Sequence, residues 1–250
     1  MNVANAISLA GQRVFVTGAS GAIGAAAARA CAALGARLIL ADVTPPAALA
    51  QELKDSGREV DAYALDNTRR EQVREVVQQA GHIDALCDCS GYYQKGDWVA
   101  GGDDWEAIYR MSLDVNLLGP FNLVRAVLPG MLQRRQGRIA LTTSMAARNA
   151  GTTLAIDPAY VASKGALQSV VRYFAKQVAD QGVVVNAVSP GPILTPLLLA
   201  SNQVYVTDHY PMKRLGKPEE IGWPLAFLCS SAVSFMTGAV IDVNGGMAFT

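Results

Sequence analysis

The stretch Arg13–Gly24 reads RVFVTGASGAIG and decides the fold. Its first five residues are mostly apolar and predict a buried strand, and the alanine-rich segment Ala22–Leu34 that follows predicts a helix. Glycines between a strand and a helix let the backbone turn tightly and approach a pyrophosphate, while the free N–H groups of the helix N-terminus attract the anion. A glycine turn alone is a weak signal. Its position directly after the first strand makes it a candidate dinucleotide site.

Short apolar runs alternate with amphipathic stretches along the rest of the chain. The further strands predicted are Arg37–Ala41, Val60–Leu65, Asp84–Cys89, Arg138–Thr143, Val183–Val188 and Ala239–Val243. The further helices predicted are Arg69–Ala80, a long stretch Asp104–Arg134 broken near Ser112, Pro158–Gln181 and Pro218–Cys229. Apolar strands joined by helices predict an α/β doubly wound parallel sheet, the Rossmann fold, with about seven strands and helices on both faces. Because no repeat or linker interrupts this pattern, residues 1–250 are expected to form a single domain.

Composition and charge exclude several classes of function. The chain has 21 Lys and Arg against 21 Asp and Glu, so it has no excess of positive charge that would attract nucleic acid or anionic lipid. No apolar run is evident at the roughly 20 residues that a bilayer crossing needs. The N-terminal segment Met1–Gly11 lacks the basic start and apolar stretch of a secretion signal. We therefore expect a cytoplasmic protein with neither nucleic-acid nor membrane partners.

The cysteines and histidines do not form a metal-binding or disulfide pattern. Cys87 and Cys89 stand two apart in a predicted strand, so their side chains share one face. Four cysteines at these spacings fit neither a zinc ribbon nor a disulfide framework, and reduced thiols are expected. The histidines are far apart and without a motif, so no metal is expected. The full set is Cys31, Cys87, Cys89, Cys229, His82 and His209.

The second predicted strand is followed at once by Asp42, about 20 residues after the glycine turn. A carboxylate at this place can accept hydrogen bonds from the adenosine ribose hydroxyls, and it would repel the 2′-phosphate of NADP. No arginine or lysine stands beside Asp42 or inside the turn to offset that repulsion. The sequence thus predicts NAD rather than NADP, with an ordinary polar strand end as the alternative reading of Asp42.

Tyr160 and Lys164 stand four apart in a predicted helix and therefore share a face. A free tyrosine has a pKa near ~10. An ammonium group one turn away, together with the positive charge of oxidised nicotinamide, would favour the phenolate and lower that pKa. Ser144 ends the fifth predicted strand. Asn116 lies in an apolar helical stretch, where its amide needs partners, either as a satisfied core amide or as part of a water relay.

Taken together, these elements resemble the short-chain dehydrogenase/reductase family, in its single-domain branch, over nearly the whole chain. Elements in this order are highly specific as a set. The matching motifs are Thr17–Gly24, Asn116, Ser144, Tyr160-x-x-x-Lys164, Asn186–Gly191, Thr195, Arg214–Ile221 and Asp242–Gly246.

The resemblance implies a catalytic set of four residues. Tyr160 would donate or remove the hydroxyl proton, and Ser144 would hold the substrate oxygen. Lys164 would orient the nicotinamide ribose and lower the tyrosine pKa. Asn116 would hold a water that connects Lys164 to solvent.

The resemblance also implies a cofactor-binding set. Ile193 would contact the nicotinamide carboxamide through its backbone and Thr195 through its hydroxyl, while Asp66 would contact the adenine amino group. The residues expected to bind the cofactor are Gly18, Ser20, Gly21, Ala22, Ile23, Gly24, Asp42, Asp66, Asn67, Ser90, Gly91, Tyr160, Lys164, Pro190, Gly191, Ile193 and Thr195.

The sequence departs from the family pattern at two places. Ala22 replaces the middle glycine of the turn, where a methyl group could crowd the cofactor unless the turn has shifted by one residue. The family's Asn-Asn-Ala-Gly reads Asp88-Cys89-Ser90-Gly91 here. A buried acid in place of the first amide needs a partner, and the change could raise the pKa of Asp88 or alter the hydrogen bonds of the central sheet.

The substrate cleft is expected from the loops 91–102, 145–159 and 192–211 at the carboxyl ends of strands. Their large side chains predict a fairly apolar pocket, with ordinary core or subunit contacts as the alternative. These residues are Tyr92, Tyr93, Trp98, Met145, Leu154, Ile156, Leu197 and Leu198.

Three functions remain open at this point. The first is an NAD-dependent dehydrogenase of a secondary alcohol or diol, working in the direction of oxidation. The second is a 3-oxoacyl-thioester reductase, against which Asp42 argues because such relatives generally resemble NADPH users. The third is a non-catalytic NAD-binding protein. The resemblance also implies a homotetramer or homodimer packed through the helices of Asp104–Arg134 and Pro158–Gln181, with the C-terminal segment Phe235–Thr250 completing the contacts.

Overall fold

The computed structural model describes residues 3–94, 105–152, 156–196, 207–208 and 210–249. Seven parallel strands form one sheet in the order β3-β2-β1-β4-β5-β6-β7. The chain order reverses between β1 and β4, and ligands of such sheets bind at the carboxyl ends of the strands at that point. The predicted doubly wound fold is therefore confirmed. The strands are β1 Arg13–Thr17, β2 Arg37–Asp42, β3 Val60–Ala64, β4 Ala85–Asp88, β5 Gly137–Thr142, β6 Val183–Pro190 and β7 Val240–Val243.

Helices cover both faces of the sheet. They are α1 Val3–Ile7, α2 Ala22–Ala33, α3 Ala47–Asp55, α4 Arg70–Ala80, α5 Trp105–Leu113, α6 Gly119–Arg134, α7 Ala146–Asn149, α8 Pro158–Val178 and α9 Pro218–Leu228. A π-helical turn, Asp114–Leu118, joins α5 to α6, and short 3₁₀ turns follow α8 at Ala179–Gln181 and α9 at Ser231–Val233. The helical stretch is therefore not broken near Ser112 but changes to π-helical geometry from Asp114.

Side chains that alternate along each strand supply two apolar layers. Phe15 of β1 packs with Ile39 and Leu86 of the flanking strands on the face covered by α4, α6 and α8. Val14 and Val16 point to the opposite face, where they pack with side chains of α2 and α9. Burying one such side chain contributes roughly 1.5–3 kcal/mol.

The alanine-rich sequence of α2 is explained by how closely it approaches α9. A Cβ atom on Gly222 of α9 would lie 2.7 Å from the backbone carbonyl carbon of Ala26. Only small side chains fit at such a contact, since close-packed interiors do not yield to an added methyl without strain. The contact fixes the start of α2, and with it the glycine turn, against the rest of the fold.

Helix α3 was not predicted from the sequence. Two prolines, Pro45 and Pro46, precede it and read as a loop signal, and only Leu49, Ala50 and Leu53 are buried along its length. The expectation that no stretch is long enough to cross a membrane was also wrong by length and composition. The continuous helical run Trp105–Arg134 meets that criterion by length and composition alone, and 44% of its most apolar window is buried within the fold.

Candidate active site

The glycine turn after β1 is held by two close backbone approaches. Gly18 has a φ of +66°, and a Cβ atom there would lie 2.6 Å from the backbone carbonyl carbon of Cys89. A Cβ atom on Gly24 would lie 2.0 Å from the carbonyl oxygen of Gly18. Gly21 has an ordinary φ of −71° and is the N-cap of α2, so Ala22 is the first helical residue. The turn itself therefore requires glycine at 18 and 24 and accommodates Ala22.

The N-terminus of α2 presents backbone N–H groups to a cavity of about 430 Å³. Gly21 provides no side-chain cap. The N–H groups of a helix's first turn have no intrahelical acceptor, so those of Ala22 and Ile23 remain available to an anion. Both residues line the cavity. These residues fit the pyrophosphate of a dinucleotide.

Asp42 ends β2 and connects that strand to the turn. Its Oδ2 accepts a hydrogen bond from the Ser20 N–H at 2.9 Å, and its Oδ1 accepts one from the Val43 N–H at 2.7 Å. Each carboxylate oxygen has a second lone pair, so ribose hydroxyls can still donate to it. The neighbouring positions are the exposed, uncharged Val43 and Thr44.

The loop after β3 is tightly hydrogen-bonded. Asp66 accepts from the Thr68 hydroxyl at 2.6 Å and pairs with Arg69 at 3.3 Å. Burial raises the pKa of Asp66, but the Thr68 hydrogen bonds and Arg69 outweigh it, so the net pKa is lowered. Asn67 donates to the Ser90 hydroxyl at 2.8 Å and packs on Gly119, where a Cβ atom would lie 2.2 Å from its amide nitrogen. The Asn67 side chain therefore belongs to the scaffold behind the cavity.

Three of the four predicted catalytic residues, Ser144, Tyr160 and Lys164, line the same cavity. Ser144 lies close enough to Tyr160 to lower the pKa of the phenol. Asp157 caps α8, because its Oδ1 accepts from the backbone N–H groups of Ala159 at 2.6 Å and Tyr160 at 3.3 Å. This cap fixes the start of the helix that carries Tyr160 and Lys164.

Burial raises the pKa of Tyr160, the Ser144 hydrogen bond opposes that rise, and the neighbouring Tyr93 adds to it. For the protein's own side chains, this direction is opposite to the one expected from the sequence, which also counted the charge of oxidised nicotinamide. The Nζ of Lys164 donates to the Thr142 carbonyl at 2.9 Å. Burial lowers the pKa of Lys164 to about 8, against the charge of Asp88, which raises it.

Asn116 lies in the π-helical turn and is fully buried. Its Oδ1 accepts from the Tyr92 N–H at 2.7 Å, and its Nδ2 donates to the Tyr92 carbonyl at 2.9 Å and to the Ser163 hydroxyl at 3.1 Å. Of the two alternatives that the sequence left open, this geometry favours the satisfied amide. Asn116 therefore holds the backbone of the loop after β4 beside the residue that precedes Lys164. Single π-helical turns frequently occur at functional sites.

The unusual acid Asp88 finds several donors at the end of β4. Its Oδ1 accepts from the Thr17 hydroxyl at 2.7 Å and from the Ser90 backbone at 3.0 Å and hydroxyl at 2.5 Å. Its charge also acts favourably on the protonated form of Lys164. The departure from the family pattern is thus accommodated by a carboxylate that links β1, β4 and the cavity wall.

The substrate side of the cavity is partly as the sequence predicts. Tyr92, Tyr93, Met145 and Ile156 line it, and the ring of Tyr93 meets that of Tyr160 edge-on at 5.2 Å between centroids. Trp98, Leu154, Leu197 and Leu198 lie outside the described residues. The predicted loops 145–159 and 192–211 also contribute Ala146, Gly151, Thr152, Pro192 and Pro196 to the lining. The lining residues that the sequence analysis missed are Cys89, Thr142 and Thr143. All three lie at the carboxyl ends of β4 and β5, and that position is the signal that could have identified them.

The predicted cofactor residues divide into two groups. Those that line the cavity are Ser20, Gly21, Ala22, Ile23, Gly24, Ser90, Gly91, Tyr160, Lys164, Pro190, Gly191, Ile193 and Thr195. Those outside its lining are Gly18, Asp42, Asp66 and Asn67. The turn at 18 and the loop after β3 therefore support the wall instead of forming it.

The four cysteines are free. The sulfur atoms of Cys87 and Cys89 lie 3.9 Å apart, so the two side chains share one face of β4 as expected. In the part of the chain that the structure describes, no group of three or more His, Cys, Asp or Glu side chains is placed to hold a metal ion.

Comparisons with known proteins give consistent similarities over the whole fold. A family model described as enoyl-(acyl carrier protein) reductase matches residues 18–248. The chain is 34% identical to a 3-oxoacyl-[acyl-carrier-protein] reductase of Thermotoga maritima, over 96% of this chain and 98% of that protein. It is also 34% identical to a 2-keto-3-deoxy-L-fuconate dehydrogenase of Xanthomonas campestris, over 95% of this chain and 80% of that protein.

Three solved structures share the fold across almost their full length. A short-chain type dehydrogenase/reductase from Mycobacterium marinum superposes with a TM-score of 0.91 at 28% identity, covering 100% of both chains. A 3-oxoacyl (acyl-carrier-protein) reductase from Agrobacterium tumefaciens with NADP bound gives 0.89 at 29% identity, covering 98% of both. A 3-oxoacyl-[acyl-carrier protein] reductase from Brucella melitensis with bound NAD gives 0.87 at 29% identity, covering 99% of this chain and 95% of that one.

Proposed function

The chain belongs to the short-chain dehydrogenase/reductase family, and on that premise we propose that it oxidises a secondary alcohol with NAD⁺, using Tyr160 as the acid/base. Family membership makes the protein an oxidoreductase of CH–OH or keto groups with a nicotinamide cofactor. The observation that carries the finer proposal is that Ser144, Tyr160 and Lys164 line the same cavity as the free N-terminus of α2.

The nicotinamide cofactor, when bound in this cavity, supplies the hydride acceptor or donor. Ser144 holds the substrate oxygen beside the Tyr160 hydroxyl, and Tyr160 exchanges the proton on that oxygen. Because the pKa of Tyr160 is raised, its phenol is protonated at neutral pH and is ready to donate in the reductive direction. In the oxidative direction the phenolate must first be formed, and a positive charge nearby assists that step.

Lys164 supplies a positive charge from the protein itself. With a pKa of about 8, it is mostly protonated at neutral pH and loses its charge as the pH rises through that value. The Thr142 carbonyl and the charge of Asp88 hold the ammonium group in place. Asn116 sets the adjoining loop by its two bonds to the Tyr92 backbone. The family role of Asn116 in a water relay would add to this positioning.

The preference for NAD over NADP rests on Asp42. Relatives of this fold have been solved with either cofactor, so the family alone does not decide. A carboxylate beside the ribose favours a free 2′-hydroxyl and repels a 2′-phosphate. The uncharged residues Val43 and Thr44 leave that repulsion uncompensated.

The second candidate function is a 3-oxoacyl-thioester reductase that uses NADPH. The similarity to the Thermotoga maritima reductase and to the Agrobacterium tumefaciens reductase with NADP bound favours it. A preference for NADPH would favour this candidate, whereas a preference for NADH must be followed by a substrate screen, because a 3-oxoacyl reductase of this fold has also been solved with NAD.

We propose that residues 1–250 form one domain and that the protein is a cytoplasmic homodimer or homotetramer. Exposed aromatic side chains on two neighbouring helices, Trp105 and Tyr109 of α5 and Tyr173 of α8, support a subunit contact there. Trp223 of α9 and Phe249 near the C-terminus are also exposed large apolar side chains. Light scattering at micromolar concentration should give two or four times the monomer mass, and a strict monomer would reject this assembly.

A fluorescence titration of the purified protein with NADH and NADPH tests the proposed function without a known substrate. Much tighter binding of NADH supports the reading of Asp42 and justifies a screen of secondary alcohols with NAD⁺. A preference for NADPH favours the second candidate function, the 3-oxoacyl-thioester reductase. Binding of neither cofactor rejects both.

A further inference from the structure

We propose that the groove between α4 and α6 is a second ligand site, which binds a small hydroxyl-bearing phosphate ester. The groove has a volume of about 400 Å³ and shares no lining residue with the active-site cavity. Its lining is Arg70, Arg74, Val77, Gln78, Asn122, Arg125, Ala126 and Pro129.

The spacing of these residues shows that each helix turns one face to the groove. Positions 70, 74, 77 and 78 follow the four-and-three repeat of a single helical face on α4. Positions 122, 125, 126 and 129 do the same on α6. The guanidinium groups of Arg70 and Arg74 are thus one turn apart on one wall, and Arg125 stands on the other.

The positive charge in the groove is largely uncompensated. The groove's own lining contains three arginines and no acid. Arg74 pairs with Glu71 at 3.0 Å, but both side chains are mostly exposed, and such a pair is worth little. Arg70 and Arg125 form no side-chain hydrogen bond or ion pair with the described residues. Guanidinium groups bind phosphate in a bidentate fashion, so a phosphate group suits this concentration of charge.

The other polar groups of the groove suit the hydroxyls of an ester. Pro129 has no N–H, so the carbonyl of Arg125, four residues earlier on the same face, lacks its helical donor. That carbonyl can accept a hydrogen bond from a hydroxyl, and the exposed amide of Gln78 can donate or accept one. Val77 and Ala126 supply apolar walls between these groups.

The floor of the groove is preorganised. The buried Asn122 donates to the backbone carbonyls of Asn67 at 2.9 Å and Thr68 at 3.4 Å, which fixes α6 against the loop after β3. Because the walls are regular helices and the floor is hydrogen-bonded, a ligand need not order the site on binding. The three exposed arginines can also be replaced with little effect on folding.

Isothermal titration calorimetry with ribose 5-phosphate tests the proposal, using protein saturated with NADH so that the cofactor cleft is occupied. We expect saturable binding of one equivalent to the wild type and binding at least about tenfold weaker to Arg70→Gln/Arg125→Gln, since that variant loses hydrogen bonds between guanidinium groups and the phosphate. Ribose without the phosphate should not bind. The titration needs no turnover, so its outcome is independent of the proposed reaction.

The matched control is Arg37→Gln/Lys54→Gln, which removes the same net charge from exposed positions on β2 and α3. It should bind ribose 5-phosphate like the wild type. The proposal is overturned if the wild type shows no saturable heat, if the groove variant binds as tightly as the wild type, or if the control variant loses binding to the same degree. Thermal melts of all three proteins establish that they are equally folded.

Discussion

The glycine turn after β1 and the cluster of Ser144, Tyr160 and Lys164 line one cavity, but different physical features determine the two. The conformation of the turn depends on the absence of Cβ atoms. At Gly18 and Gly24 the backbone approaches itself more closely than any Cβ atom allows. The properties of the cluster depend on ionisable side chains whose charged forms are disfavoured by burial. Burial holds the pKa of Lys164 down and the pKa of Tyr160 up, so each charged form is disfavoured where it lies.

The difference explains which departures from the family pattern each region tolerates. The turn accepts Ala22 because that residue begins α2 and does not lie at a close backbone approach. The cluster accepts Asp88 because donors from Thr17 and Ser90 surround the carboxylate. A backbone site is therefore sensitive to shape, whereas a side-chain site is sensitive to charge and its partners.

The largest effect is expected in the turn. Gly24→Ala places a methyl carbon about 2 Å from the Gly18 carbonyl oxygen, so the turn must open. We expect the free energy of unfolding to fall by about 3 kcal/mol, the upper range for overpacking, and NADH binding to be lost. Urea unfolding and a fluorescence titration measure both.

Ala22→Gly is the matched control for that change. It restores the family's glycine and should cost at most about 1 kcal/mol through helix propensity, with NADH binding retained. Equal behaviour of the two variants would mean that the turn is not limited by shape.

In the cluster, Lys164→Met should make the protein more stable and inactive. The folded pKa of about 8 lies below the ordinary 10.5, so between these values the unfolded chain binds more protons. Burial of the Lys164 ammonium therefore lowers the free energy of unfolding by its full amount below pH 8, and this loss shrinks as the pH rises toward 10.5. It amounts to about 3 kcal/mol, from which the lost hydrogen bond to Thr142 subtracts about 1 kcal/mol.

Urea unfolding at several pH values checks this prediction. Lys164→Met should exceed the wild type by about 2 kcal/mol at pH 7, and the gap should narrow by pH 10. A gap that does not change with pH would show that the lysine charge is not what destabilises the cluster.

A change at the edge of the turn should redirect the cofactor preference. Asp42→Ala/Val43→Arg removes the carboxylate and adds a cation beside the ribose, so the ratio of NADPH to NADH affinity should rise about tenfold to a hundredfold, or roughly 1.4–2.8 kcal/mol. Asp61→Ala removes the same charge from the neighbouring strand β3 and should leave the ratio unchanged. An unchanged ratio in the double variant would sink the assignment of Asp42.

The smallest effect concerns Tyr93, whose ring meets that of Tyr160 edge-on. Tyr93→Ala should lower turnover about two- to tenfold, the equivalent of 0.5–1.5 kcal/mol for an aromatic pair. It should also move the pH profile of kcat to lower pH, because Tyr160 loses part of its burial and a neighbour that raises its pKa. Tyr93→Phe keeps the ring and should keep the wild-type turnover, with a smaller shift of the pH profile than Tyr93→Ala because it removes only the hydroxyl that raises the pKa of Tyr160. If both variants were alike, the ring contact would have no positioning role.

The sheet could be predicted from the sequence because its buried strands read as short apolar runs, and each of the seven lies within two residues of its expected bounds. Helix α3 could not, because two prolines precede it and its buried face is only three residues wide. The periodicity of apolar residues predicts a helix poorly when the helix buries so few side chains.

The candidate site can likewise be divided into features that the sequence predicts and features that it does not. The spacing of Tyr160 and Lys164 on one helical face was readable from the sequence, but the direction of the tyrosine pKa was not, because it depends on burial in three dimensions. The hydrogen-bond partners of Asn116 could not be predicted from the sequence either, since the Tyr92 backbone that it binds is 24 residues away along the chain. The arginine groove also appears only once α4 and α6 are placed side by side.

The central claim is that Tyr160 exchanges the proton on the substrate oxygen. The most direct test compares the wild type with Tyr160→Phe for NADH affinity and for turnover of a secondary alcohol with NAD⁺. Turnover should fall by about a hundredfold to ten-thousandfold, the usual contribution of general acid–base catalysis, while NADH affinity stays the same. Turnover that persists at the wild-type rate in the variant would contradict the claim.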